Sequence, residues 1–177
     1  DDHGALEALG DDSRRETPAA RRSPRDGPTM IGVMVSDERV ELAVRFFEFF
    51  KTPWERFQNG RRYEVVVGFA LPVPYGVGRL AVVYASDATV DDEQFGFRIS
   101  DPTPNTVVST SLGDVLLPGP VAAVDGPGFS ILEKAGSRIT VGRWLRSGEE
   151  LYCRFGFDLL EQLEYWIREG QPSQHAV

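Results

Sequence analysis

The segment from Ser36 to Lys51 leaves few folds open to this chain. Ser36 reads as a helix N-cap, with Asp37 and Glu38 in a first turn where carboxylates complement the helix dipole. The helix that follows carries two apolar stripes. Val40, Ala43, Val44, Phe47 and Phe50 form one; Leu42, Phe46 and Phe49 form the other. Polar side chains are confined to Glu41, Arg45, Glu48 and Thr52. A helix this apolar must be covered on two sides, by a sheet and by something else, either the rest of the domain or a partner.

The flanking sequence supplies the sheet. Met30-Ile31-Gly32-Val33-Met34-Val35 is a short β-branched run suited to a buried strand. Thr52-Pro53-Trp54-Glu55 has the form of a capping box with proline at the first helical position, so a short helical turn is expected there. Tyr63 to Leu71 is the most strand-like segment, and a Pro/Gly connection from Pro72 to Gly78 leads to a second apolar strand at 80–84. Phe95, Phe97 and Ile99 then alternate with Gly96 and Arg98 as in a half-buried strand. Residues 129–133, 138–146 and 150–156 read as a meander. Asp158, with Glu161 three residues on, starts a last helix buried through Leu159, Leu160, Leu163, Trp166 and Ile167, and Gly170 and Pro172 end it.

The expected fold class is therefore α/β: a small, mostly parallel β-α-β core, a β-rich meander and a C-terminal helix. Residues 1–28 mix both charge signs with few apolar side chains and are expected to form a disordered tail, leaving 29–177 as one domain. At 177 residues the chain is long enough to bury a full core without disulfide or metal.

Composition then removes most chemistry. The sequence has two histidines, His3 and His175, both in terminal segments, and one cysteine, Cys153. Hydrolytic and metal sites need imidazoles or thiolates converging on one point, so no metal, cofactor or catalytic residue is expected. Nineteen Lys and Arg against 27 Asp and Glu give a net charge of −8, which repels a nucleic-acid backbone. No apolar run reaches membrane-spanning length. With no disulfide to form, a cytoplasmic location is the expectation.

Several groups could still bind a ligand. Gly76-Val77-Gly78-Arg79-Leu80-Ala81 matches a relaxed dinucleotide fingerprint, although strand-forming residues follow where a helix N-terminus is needed. Asp87 lies just past an apolar strand, where open α/β sheets place ligand contacts. Asp91-Asp92-Glu93 reads as a solvated loop, and Asp101 and Asp125 as turn residues. Ser109, Thr110 and Ser111 lack a base, and Cys153 alternates in phase with Leu151 and Phe155 as a core residue would. Arg143, Arg146 and Arg154 could face an anion together, or sit as surface residues with their stems on apolar neighbours. Phe46, Phe49 and Trp54 are the candidate interaction surface.

Two segments carry a family resemblance. Phe46-Phe47-Glu48-Phe49-Phe50-Lys51-Thr52-Pro53-Trp54-Glu55 followed by Tyr63-Glu64-Val65-Val66-Val67 is one, and Phe157-Asp158-Leu159-Leu160-Glu161 running to Glu169-Gly170-Gln171-Pro172 is the other. Together they resemble the N-terminal accessory regions that precede polysaccharide-deacetylase-like domains in bacterial proteins. The resemblance implies that catalysis resides in a downstream domain. Deacetylases of that family bind metal through an aspartate and two histidines in an H-x-x-x-H type motif, which is missing here, so none of their catalytic residues carries over. The expected function is a non-catalytic accessory or interaction domain of a larger bacterial protein, polysaccharide-related, with a downstream domain or another protein as partner. The alternative is a small-molecule or nucleotide-binding α/β enzyme whose site lies at the C-terminal ends of the strands.

Overall fold

A computed structural model describes residues 30–169. The expected tail, both histidines and the Gly170–Pro172 stop lie outside the described residues. Among the described residues, eleven strands and three α-helices follow in chain order, with a 3-10 turn at Asp37–Arg39. They are β1 (Ile31–Met34), α1 (Val40–Phe49), β2 (Trp54–Arg56), β3 (Tyr63–Phe69), β4 (Gly78–Tyr84), α2 (Val90–Phe95), β5 (Arg98–Ile99) and β6 (Thr106–Thr110). The remainder are β7 (Gly113–Leu117), β8 (Val124–Asp125), β9 (Phe129–Lys134), β10 (Thr140–Ser147), β11 (Glu150–Phe155) and α3 (Leu159–Glu169).

Nine of the strands form one mixed sheet in the order β2-β1-β3-β4-β11-β10-β9-β6-β7. From β2 to β11 neighbouring strands run parallel; from β11 to β7 they run antiparallel. β5 and β8 make a separate two-stranded ribbon. This overturns the expected small, mostly parallel β-α-β core: the protein is mostly β, and core and meander are one sheet. The cause is β11, which pairs alongside β4 in parallel from Leu151 against Leu80 to Phe155 against Tyr84. The C-terminal helix stands where expected.

Two local readings also change. Trp54–Arg56 is an edge strand parallel to β1, with Ile31 opposite Trp54, rather than a helical turn. Pro53 fits because its missing N–H is not needed, while its carbonyl accepts from Ile31 N at 3.2 Å. Residues 90–95 are helical rather than strand or loop. Thr89 and Asp92 form a capping box, in which Thr89 N donates to Asp92 Oδ2 at 2.6 Å.

The passage from β3 to β4 is unusual for parallel neighbours because it contains no helix. β3 has seven residues, and Tyr63 lies opposite Gly78, so the chain must return about 20 Å. Residues 70–77 cover that distance without a helix and leave slack for the turn at Gly76. Val73, at the middle of this crossover, is fully buried.

Both faces of the parallel half are covered. On one, α1 and α3 bury Val33, Ala43, Phe47, Val67, Phe69 and Leu160. On the other, the crossover, α2 and the β5–β8 ribbon bury Val66, Val73, Ala81, Val83, Phe97, Val124 and Tyr152. α1 ends in a Schellman motif: Thr52 N donates to Phe47 O and Lys51 N to Glu48 O, both at 3.1 Å. Lys51 occupies the left-handed position, with φ 49°. A side chain there is strained, so Lys51→Gly should stabilise the protein by about 0.5–1 kcal/mol, read as a higher midpoint in urea.

Candidate functional site

β1, β3, β4 and β11 all end on one edge of the sheet, the edge where an open parallel sheet collects ligand-binding groups. The segments leaving it are 35–39, 70–71, 85–89 and 156–158. Their polar groups form two clusters, one on each side of the sheet.

The first is built on Arg154, whose side chain is fully buried beside an almost fully buried Asp92. Arg154 Nε donates to Asp92 Oδ1 at 2.8 Å and Nη2 to Asp92 Oδ2 at 3.0 Å, a bidentate pair. Nη1 donates to Ala85 O at 2.6 Å and to Phe155 O, and Nη2 to Asp87 O at 2.6 Å. All five guanidinium N–H groups are therefore used within the protein. The clamp ties β11 to the segment leaving β4 and to the first turn of α2.

The second cluster joins Arg39 to Asp158. The guanidinium grips both carboxylate oxygens, through Nη1 and through Nη2 at 3.0 Å. Asp158 Oδ1 also accepts from Leu160 N at 3.0 Å and Glu161 N at 3.3 Å, capping α3 as its sequence position predicts. Glu161 lies close by. Burial raises its carboxyl above the usual range, the charges of Asp158, Asp87 and Glu164 add to this, and Arg39 opposes it. The edge thus gathers acidic groups whose neighbouring cations are already engaged, Arg39 by Asp158 and Arg56 by Asp37 and the Val35 carbonyl. It suits neither a phosphate nor another anion.

The expected ligand residues are not assembled into one site. Gly76 has φ +83° in an exposed turn, and its N–H donates to Glu150 Oε2 at 2.8 Å. Gly78 begins β4, so a strand stands where a phosphate loop needs a helix N-terminus. That turn precedes β4, whereas Asp87 follows it, at the opposite end of the strand. Asp87 itself is exposed, with its carbonyl held by Arg154.

Of the three arginines, Arg154 is buried, Arg146 is exposed, and Arg143 donates to Val124 O at 3.1 Å and Gly128 O at 3.2 Å. They do not converge. Ser109 donates to Asp114 Oδ1 at 2.8 Å in the β6–β7 hairpin. Cys153 is half-buried, and burial pushes its thiol up, away from the thiolate a nucleophile requires. Among the described residues no group of three or more His, Cys, Asp or Glu could hold a metal ion.

The aromatic surface is partly present. Phe49 is 80% exposed and Phe50 59%, whereas Phe46 and Trp54 are half-buried. Phe50 packs edge-on against Phe46 and Phe49, with centroids 5.0 and 5.1 Å away. Phe50, which shares its apolar stripe with the buried Phe47, thus joins the exposed patch. The Arg154–Asp92 clamp is the group that sequence reasoning missed, and Thr89-x-x-Asp92 was its legible half. Among the described residues no helix is long and apolar enough to cross a membrane.

No protein-family model and no curated protein matches this chain. Among solved structures, its fold is similar to part of the exo-β-1,4-mannosidase Op5Man5 from Opitutaceae bacterium strain TAV5. That match has a TM-score of 0.58 and 12% identity, and covers 81% of this chain and 34% of the mannosidase. A β-galactosidase from the psychrophilic Marinomonas ef1 also matches, with a TM-score of 0.48 and 12% identity, over 81% of this chain and 29% of that one. The chain thus spans about a third of the mannosidase it resembles, and the likeness is one of fold.

Proposed function

We propose that this chain is a non-catalytic accessory domain of a larger, polysaccharide-processing protein, and that it works by docking rather than by chemistry. The observation that carries the reading is the engagement of the buried charged pairs at the carboxyl edge. Where a parallel sheet would present reactive groups, Arg154, Asp92, Arg39 and Asp158 are consumed in holding the fold. The mannosidase likeness supports the polysaccharide link, since in that enzyme the matched part is a minority of the chain. The exposed Phe49 and Phe50, continuous with Phe46, supply the docking face.

The test is turnover and binding by the purified chain. Aryl β-mannosides, aryl β-galactosides, ATP and NAD are each offered to it, with product release and calorimetry as readouts. No turnover and no nucleotide binding is the expected result. Turnover abolished by Asp87→Ala, or nucleotide binding abolished by Gly76→Ala, would sink the proposal in favour of an enzyme working at that edge or turn.

A further inference from the structure

The crossover between β3 and β4 is held from beneath by two carboxylates. Glu150, at the start of β11, is 5% exposed, and its Oε2 accepts the Gly76 N–H at 2.8 Å. Asp91, in the first turn of α2, lies beside the Val73 backbone. Glu150 thus spends one oxygen on the crossover. Glu150 Oε1 and Asp91 Oδ2 are buried and meet no protein donor, and the buried hydroxyl of Tyr152 is likewise unpaired within the protein. Tyr152 feels the charges of both carboxylates, so the three groups share one region under the crossover.

We propose that residues 70–77 form a proton-tightened strap: protonation of Glu150 and Asp91 closes it onto the sheet, and their ionisation loosens it. A buried anionic oxygen without a donor is costly, and a neutral carboxyl removes that cost while its carbonyl still accepts the strap's N–H. The surrounding charges do not cancel the effect. Arg79 on β4, in the row beside Glu150, pairs with Glu64 at 3.4 Å and is exposed. Arg154 on β11 is bound to Asp92. On β10, Ser147 lies opposite Glu150 and is neutral, although its carbonyl accepts from Tyr75 Oη at 3.2 Å. On α2, Asp92 is a like charge beside Asp91 and raises its carboxyl further.

The sign follows from linkage. Burial is the largest influence on both groups, and it raises both carboxyls in the folded state above their ordinary values. A raised carboxyl binds its proton more tightly in the folded, closed form. Closure therefore gains as pH falls through the folded value and weakens as pH rises through it. Most carboxylates in ion pairs act in the opposite direction, as Asp125 does beside Arg98.

Hydrogen exchange of the whole chain tests this, followed by mass spectrometry on peptides covering 71–78 and corrected for intrinsic rates. Between about pH 7 and about pH 4.5, a window that spans the raised carboxyl range, the protection of the Val73 and Gly76 amides should rise severalfold. The double change Glu150→Gln and Asp91→Asn keeps the acceptors and removes the titration. It should make protection equal at the two pH values. Glu150→Gln alone should remove the response at Gly76, a second reading should the double variant fail to fold. A wild-type strap with pH-independent protection overturns the proposal, and so does a response that survives Glu150→Gln at Gly76.

Discussion

Arg154→Ala should lower stability by about 3–5 kcal/mol, one of the largest losses available to a single substitution in this protein. The change removes a guanidinium with all five donors engaged and leaves the buried Asp92 carboxyl without its cation. It also frees the Ala85 and Asp87 carbonyls, so the segment leaving β4 keeps only the Ala85 N–H to Phe155 carbonyl bond to β11. In a scanning experiment the midpoint should fall by about 10 °C. Most of that cost is the stranded carboxyl rather than the intrinsic worth of the pair. The double variant Arg154→Met with Asp92→Asn should therefore recover a substantial part of it, because the amide oxygen can still cap Thr89 N. Were Arg154 a ligand-facing residue, the single change would cost little without ligand, and a near-neutral result would return it to the candidate site.

The same residue explains where the sequence stopped being informative. Leu151, Cys153 and Phe155 alternate with Glu150, Tyr152 and Arg154, and a period-two pattern assigns the apolar set to the core. In the structure the second set is the more deeply buried. β11 lies at the centre of a sheet covered on both faces, so both sets are enclosed, and the charged members survive there through Asp92 and the Gly76 N–H. Alternation reports a strand; it does not report its neighbours. The pairing of β11 with β4, which merges core and meander, joins segments far apart in sequence and leaves no local mark.

Local signals that agree with their surroundings were legible. Asp158 caps α3 because carboxylate, spacing and the apolar face of the helix all point one way. At Thr52-Pro53-Trp54-Glu55 an equally good capping pattern yields a strand, since the open edge of β1 offers backbone bonds that a short isolated turn cannot match. At 89–95 the reverse occurred: the period-two run Phe95, Phe97, Ile99 masked the Thr89–Asp92 box that starts α2. The candidate site fared similarly. Gly76, Gly78 and Asp87 have the right residue types, but β4 separates the glycine turn from Asp87 along its whole length.

The aromatic run of α1 gives the second large effect, because neighbouring phenylalanines there should behave in opposite ways. Phe47 is buried, stacked on Trp54 at 5.2 Å and edge-on to Phe69 at 6.3 Å. Phe47→Ala should cost about 3–5 kcal/mol, through lost burial and the cavity left behind. Phe49, two residues on, packs chiefly against Phe50, and Phe49→Ala should change stability by no more than about 0.5 kcal/mol in the isolated monomer. Both variants are compared by urea unfolding at low and high protein concentration. Sequence periodicity cannot make this distinction, since Phe46, Phe47, Phe49 and Phe50 all lie within one half of the helix circumference; only the position of the sheet selects Phe47. A large loss for Phe49→Ala that grows with protein concentration would mean the patch is covered by a second copy. A large loss independent of concentration would mean the helix packs differently from the arrangement described.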